Sequence, residues 1–315
     1  MSAGRPYRGR FAPSPTGDLH LGSAAAALVA WLDARAAGGA LVVRVEDLDP
    51  PRTVPGAADR QMDDLRWLGL DWDEGPDVGG PHTPYVQSAR GVRYEGALAA
   101  LAGRGLTYLC DCSRAEIARV ASAPHAGDEG PRYPGTCRAL GMAPRPFRRA
   151  PAVRFAVPAD AEIALDDRWQ GRHVERVADQ AGDFVLRRGD GVFAYQLAVV
   201  VDDLAMEITD VVRGADLLGS SARQALLARA LGGEAPRFAH LPLVLASDGA
   251  RLAKRAGSPS IRGRREAGER SPSVVASIAR VLGLVDASVR QATPRELLAA
   301  WNPSRLVGVA SVRAP

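Results

Sequence analysis

The chain has 315 residues, 46% of them hydrophobic, and a formal net charge of +4, which is length for about two domains and enough apolar content for a folded core. A membrane-spanning chain is excluded as an expectation, because the longest early apolar run, residues 24–32, is broken by Asp33 and Arg35 well short of ~20 residues, and residues 1–10 do not read as a signal peptide. The mild positive charge permits a polyanionic partner without requiring one.

Residues 9–35 predict a strand, a turn marked by Pro13, Pro15 and Gly17, and an alanine-rich helix from about Ser23. In the string Arg10-Phe11-Ala12-Pro13-Ser14-Pro15-Thr16-Gly17-Asp18-Leu19-His20-Leu21-Gly22-Ser23, the backbone N–H groups at the helix start can face a phosphate. Gly22 admits close approach, and the His20 imidazole can donate to phosphate oxygens as charge builds in a transition state. Residues 41–45 follow as a short buried strand, and helical spacing resumes over 56–68 and 94–102. This alternation predicts a parallel α/β sheet. Within Arg44-Val45-Glu46-Asp47-Leu48-Asp49-Pro50-Pro51-Arg52 the strand ends in acids, as ligand-binding strand ends in such sheets do.

From 106 to about 188 the pattern changes to clustered cysteines, a Pro/Gly-rich stretch over 121–135 and short strand-like runs such as 152–157, which predicts an insertion. Three cysteines are an odd number, which argues against a disulfide framework and for a reducing, cytoplasmic compartment or a metal. Cys110-x-Cys112 with Cys137 can chelate Zn²⁺, and for the fourth ligand donor chemistry alone prefers His125 to a phenol. Alternation returns over 193–201, 207–212 and the helix 221–231, with a buried run at 241–245 closing the second half-sheet. After Ser247 the chain is basic and loop-rich, with Arg262, Arg264, Arg265 and Arg270, before two helices over 273–282 and 295–301. Lys254 is the only lysine among 40 basic residues. A lysine ammonium is a compact charge on a flexible stem that can follow a moving phosphate, unlike the planar arginine fork.

The string from Arg10 to Ser23 resembles the HIGH region of glutamyl-type class I aminoacyl-tRNA synthetases, with Ser23 in place of the second histidine. Arg251-Leu252-Ala253-Lys254-Arg255 resembles their KMSKS-type loop, with Arg251 and Ala253 replacing the usual lysine and serine. The resemblance runs from about Arg8 to about Gly257. It implies an α/β fold with a class I synthetase Rossmann-type doubly wound parallel sheet, an inserted zinc-containing subdomain and a short C-terminal helical stem-contact region. The corresponding segments are 8–105, 106–188, 189–246 and 247–315. It also implies that His20, Gly22, Ser23 and Lys254 bind ATP, with His20 and Lys254 catalytic, and that Arg10, Phe11, Ala12, Pro13, Ser14, Glu46, Tyr195 and Arg213 bind glutamate, Glu46 meeting the α-amino group.

In the insertion the chain is similar to glutamyl-queuosine tRNA(Asp) synthetases, whose Cys-x-Cys, Tyr, Cys set maps a structural Zn²⁺ onto Cys110, Cys112, Tyr133 and Cys137. The 61 residues after Lys254 (315 minus 254) lead us to expect no separate anticodon-binding domain. The implied activity is ATP- and Mg²⁺-dependent, tRNA-independent activation of L-glutamate, then its transfer to queuosine at the anticodon wobble position of tRNA(Asp), by a monomer with no membrane partner. Three other readings compete: a truncated or discriminating glutamyl-tRNA synthetase charging the 3′ end; a non-catalytic RNA-binding paralogue, suggested by Ser23, Arg251 and Ala253; and another nucleotidyltransferase on the same fold.

Overall fold

Strand β1 (Arg8–Phe11) turns through residues 12–20 into helix α1 (Leu21–Ala36) and returns as β2 (Ala40–Val43). Helices α2 (Ala57–Trp67) and α3 (Gly91–Gly103) follow. Next come β3 (Thr107–Cys110), β4 (Ala152–Phe155), β5 (Glu162–Asp167), β6 (Gly171–Arg176) and β7 (Phe184–Arg187). The chain then runs through α4 (Tyr195–Ala205), β8 (Asp210–Gly214), α5 (Ser221–Ala230), β9 (Arg237–Leu241) and β10 (Leu243–Leu245). It ends with α6 (Ile261–Glu266), α7 (Ser271–Val281), α8 (Pro294–Ala299) and β11 (Ser311–Arg313). This computed structural model describes residues 5–113, 115–117, 132–140, 145–245 and 259–313. Lys254, its neighbours Arg251 and Ala253, and His125 lie outside the described residues.

The central sheet has the order β2-β1-β8-β9, all parallel. Strands β2, β8 and β9 carry apolar residues on both faces because both are covered. Leu41, Val43, Val212 and Ala239 enter the core formed with α1 and α7, while Val42, Val211 and Phe238 enter a second core on the other side. Alanines 24, 25, 27, 30 and 34 make α1 narrow enough to lie close to the sheet, and all are buried. From β1 the connection runs outward to β2, and from β8 it runs the opposite way to β9. The reversal between β1 and β8 opens a crevice beyond their carboxyl ends.

Between the two halves of this sheet lie an antiparallel sheet, β3-β4-β7, and the hairpin β5–β6. The hairpin tip is anchored to the parallel sheet. Trp169 is buried in the main core, the Arg168 guanidinium meets both carboxylate oxygens of Asp33 at 2.5 and 2.9 Å, and Gln170 Nε2 donates to the carbonyls of His240 and Val309 at 2.9 and 3.0 Å. After β9 the chain re-pairs through β10 with β11, in parallel.

Two expectations need correction. Helix α1 starts at Leu21 instead of about Ser23, because His20 is its extended N-cap. Of the basic, loop-rich stretch, Ile261–Glu266 is helical, with Arg262, Arg264 and Arg265 on it: Ser260 Oγ accepts from Gly263 N at 3.0 Å and caps α6, and Ile261 is buried. Arg262 there faces Asp64 at 3.3 Å and Arg264 faces Glu269 at 2.6 Å, so these guanidiniums have partners within the chain. Among the described residues no helix is long and apolar enough to cross a membrane.

Candidate active site

The first turn of α1 has no side-chain cap and no acid, and its first intrahelical bond is Ala24 N to His20 O at 2.9 Å. The N–H groups of Leu21, Gly22 and Ser23 are therefore free to meet an outside acceptor at the positive end of a 16-residue helix. A Cβ built on Gly22 would meet nothing within 4 Å, so the space beside it is open. His20 and Ser23 are exposed at the same end.

Backbone and side-chain bonds hold the turn that leads there. Arg44 N donates to Phe11 O and Glu46 N to Pro13 O, both at 3.0 Å, and Gln61 Nε2 donates to Ser14 O at 3.2 Å and Gly17 O at 2.7 Å. Phe11 itself packs into the main core, so at this end it offers its carbonyl and not its ring. Ala12 and Pro13 are half-buried, and Ser14 is exposed.

Beyond the strand ends, charges are buried together. Arg44, wholly buried, reaches Asp203 at 2.7 Å and Glu46 at 3.0 Å; Arg10 lies along Asp203 at 3.3 and 3.4 Å. Asp202 accepts from Arg90 at 2.5 Å and from Gln87 and Tyr94 at 2.8 Å. Burial pushes the Glu46 carboxyl above its ordinary range, although Arg44 and Arg10 pull the other way. Asp203 is held below its ordinary range: burial raises it, but Arg10 and Arg44 outweigh burial.

Arg213, at the end of β8, is 4% exposed. Its N–H groups go to neutral partners: Nε to His240 Nε2 at 2.9 Å, one terminal nitrogen to Gln224 Oε1 at 2.8 Å and Tyr195 Oη at 3.5 Å, the other to Ser221 Oγ at 2.8 Å and Leu217 O at 3.2 Å. No carboxylate pairs with it among the described residues. Burial, reinforced by Arg10, lowers its pKa from the ordinary value. Arg10, Arg44 and Arg90 are paired with Glu46, Asp202 and Asp203, whereas the nearest carboxylate behind Arg213, that of Asp167, reaches it only through His240. A buried cation with no carboxylate in contact is costly, and a ligand carboxylate would pair with it. The longest bond, to Tyr195, marks the side nearest solvent, because Tyr195 is 37% exposed.

Cys110, Cys112 and Cys137 have sulfurs within 4.8 Å of one another, and the Tyr133 hydroxyl lies 3.4 Å from Cys110 Sγ and 3.7 Å from Cys112 Sγ. Four donors spaced like this fit tetrahedral Zn²⁺, whose ~2.3 Å bonds to sulfur set sulfurs roughly 3.8 Å apart. Burial pushes the Cys112 thiol up to about 11, and the Tyr133 phenol also rises through burial. Metal binding here would therefore release protons.

Residues 7–302 match the family described as tRNA synthetases class I (E and Q), catalytic domain. The chain belongs to that family. Within it, the chain is 53% identical over 304 residues to a Glutamyl-Q tRNA(Asp) synthetase of Symbiobacterium thermophilum, covering 95% of this chain and 93% of that protein. A second protein of that name, from Nitratidesulfovibrio vulgaris, is 51% identical over 88% of this chain and 87% of its own. Among solved structures, a glutamate tRNA ligase from Elizabethkingia meningosepticum in complex with its amino acid superposes with a TM-score of 0.82 at 30% identity, over 99% of this chain and 67% of that one. As a class I synthetase the chain is a ligase.

The described residues expected at the pocket lie beyond the carboxyl ends of the parallel strands: Arg10, Glu46 and Arg213 buried, Tyr195 on the exposed side of Arg213, and residues 12–14 and His20 along the turn into α1. Sequence reading missed Asp202, Asp203, His240 and Asp167. Two adjacent acids inside the apolar helix α4, and a lone histidine inside the buried run of β9, were the signals available.

Proposed function

We propose that the chain activates L-glutamate with ATP, without tRNA, and transfers it to the queuosine base at the wobble position of tRNA(Asp). The observation that carries the glutamate half is the buried Arg213, in contact with no carboxylate among the described residues. L-Glutamate, with two carboxylates and one ammonium, can supply that carboxylate. Arg213 with Tyr195, and Arg10, would receive the carboxylates, and Glu46 the ammonium. The backbone of residues 12–14 would border the amino acid.

The α-carboxylate then attacks the α-phosphorus of ATP in line, forming the mixed anhydride as pyrophosphate leaves. A cyclopentenediol hydroxyl of queuosine next attacks the glutamyl carbonyl and AMP leaves. The free N–H groups at residues 21–23 and the His20 imidazole would stabilise phosphate charge that grows in the first step. Lys254, outside the described residues, is assigned the same task, and Mg²⁺ accompanies the nucleotide. Zn²⁺ held by Cys110, Cys112, Tyr133 and Cys137 would be structural, cross-linking the segment that carries β3. The organisation we infer is 8–105 and 189–246 as the two halves of the catalytic domain, 106–188 as the inserted subdomain and 247–315 as the C-terminal region, in a cytoplasmic monomer.

Support for queuosine as acceptor comes from relatives above 50% identity that carry the name Glutamyl-Q tRNA(Asp) synthetase. The likeness to a glutamate tRNA ligase favours a second reading, charging of a tRNA 3′ end. Transfer of labelled glutamate to tRNA(Asp) with and without queuosine separates them. Label only on queuosine-containing tRNA, stable to removal of the 3′ nucleotide, is the expected result; label on unmodified tRNA, lost with that nucleotide, supports the second reading.

A further inference from the structure

Arg213 must point one edge of its guanidinium at a substrate, and the strand that carries it does not alone determine that direction. Behind it stands His240, fully buried on the neighbouring strand β9 and in register with it. Arg213 Nε can only donate, so His240 Nε2 at 2.9 Å must be the acceptor and the imidazole proton must sit on Nδ1. Nδ1 lies 2.5 Å from Asp167 Oδ2, which accepts that proton's hydrogen bond. Asp167 comes from the tip of the β5–β6 hairpin, which in chain order lies between the two halves of the parallel sheet. Its other oxygen accepts from the backbone of Trp169, Gln170 and His240 at 3.0, 2.8 and 3.2 Å. The chain of bonds thus runs from a hairpin outside the parallel sheet to the substrate edge of the crevice, with no exposed group in it.

We propose that Asp167 and His240 are positioning residues that aim Arg213: Asp167 holds His240 as its Nδ1–H tautomer, and the bare Nε2 fixes the guanidinium by its Nε–H. This rests on the reading of Arg213 as a glutamate ligand. Charge supports the assignment. Burial keeps the imidazole neutral by lowering its pKa, and Asp167, although raised by burial, is held below its ordinary value by His240 and the turn N–H groups. An anion, a neutral imidazole and a cation in line form a chain of bonds in which each group has one allowed orientation.

Two near-isosteric exchanges should then have opposite effects. Asp167→Asn keeps the oxygen that caps the hairpin turn but presents an amide donor to Nδ1. That drives the proton to Nε2, where it opposes Arg213 Nε–H. His240→Gln keeps one acceptor for Arg213 and one donor for Asp167. In glutamate-dependent pyrophosphate exchange we expect Asp167→Asn to raise the glutamate KM about ten- to a hundred-fold, the cost of an unmatched buried donor, with the ATP KM unchanged. His240→Gln should stay within about threefold of the parent, and His240→Leu should behave like Asp167→Asn. ¹⁵N spectra of the intact protein, with His240 assigned by its loss in His240→Gln, should show a bare Nε2 in the parent and a protonated one in Asp167→Asn. Parent-like glutamate KM in Asp167→Asn, or equal rises in the glutamate and ATP constants in all three variants, would overturn the proposal. If the parent shows no glutamate-dependent exchange, it is the glutamate reading that fails, and the spectra decide the relay: an unchanged tautomer in Asp167→Asn rejects it, a switched one with a displaced Arg213 Nε–H resonance supports it.

Discussion

At the carboxyl ends of the parallel strands, Arg10, Arg44, Arg90 and Arg213 meet Glu46, Asp202 and Asp203 as groups charged before any ligand arrives. At Cys110, Cys112, Tyr133 and Cys137, by contrast, the donors are thiols and a phenol, and burial raises Cys112 and Tyr133 further toward their neutral forms. The first cluster is held by hydrogen bonds that need no ligand, so its geometry exists in advance and the ligand supplies only a carboxylate for Arg213. The second gains its cross-link only when an ion displaces protons, so its local stability depends on metal.

The sharpest way to break the comparison is to remove an anchor of the charged cluster. Asp202→Ala strands the buried Arg90 and should lower unfolding free energy by about 3–5 kcal/mol in a urea titration. A loss below ~1 kcal/mol would show that the cluster is not held as described. Arg213→Met tests the opposite property in the same cluster, since this cation has no carboxylate partner among the described residues. It should reduce kcat/KM for glutamate about a hundred- to a thousand-fold, roughly 3–4 kcal/mol, while the melting temperature without ligand stays within about 4 °C of the parent. A large drop in melting temperature would make Arg213 structural.

For the thiol cluster, Cys137→Ser should abolish the zinc found by mass spectrometry of the parent. Pyrophosphate exchange should remain within about threefold, less than ~1 kcal/mol, while transfer to RNA falls further. A parent without zinc contradicts the metal assignment. Acid should also separate the two clusters. Because the Glu46 carboxyl is raised, it takes up its proton at a higher pH than an exposed glutamate, so the glutamate KM should climb as pH falls through that raised value. In the ligand-free protein the sign is opposite: the stability linked to Glu46 is present when it is protonated and is lost as pH rises. Glu46→Gln should raise the KM and remove this part of the acid limb. The smallest effect belongs to the surface. Arg264→Ala, which breaks a pair with a half-exposed Glu269, should cost less than ~1 kcal/mol of stability.

Local strings made part of this legible. The strand–turn–helix of residues 10–23 and the acids after β2 are each contiguous in sequence, so their residue types and spacing can be read locally even though their partners, such as Asp203 and Gln61, are distant in the chain. Asp167 and His240 are separated by 73 positions, and nothing local to either shows that they touch. Asp202 and Asp203 lie in an otherwise apolar helix whose periodicity marks a buried face but not the arginines opposite. Arg262 and Arg264 read as part of a basic run because their partners, Asp64 and Glu269, become visible only once α6 folds against α2 and caps itself. Strand and helix order follows from hydrophobic period, whereas charge pairing follows from tertiary packing.

The central claim is that buried Arg213, in contact with no carboxylate among the described residues, selects an amino acid with a side-chain carboxylate for adenylation. The most direct test is pyrophosphate exchange into ATP by the intact chain, without tRNA, comparing L-glutamate with L-glutamine. Exchange with glutamate and at least about a hundredfold lower kcat/KM with glutamine is the result expected from leaving Arg213 without its carboxylate; equal exchange with both, or none with glutamate, would contradict it.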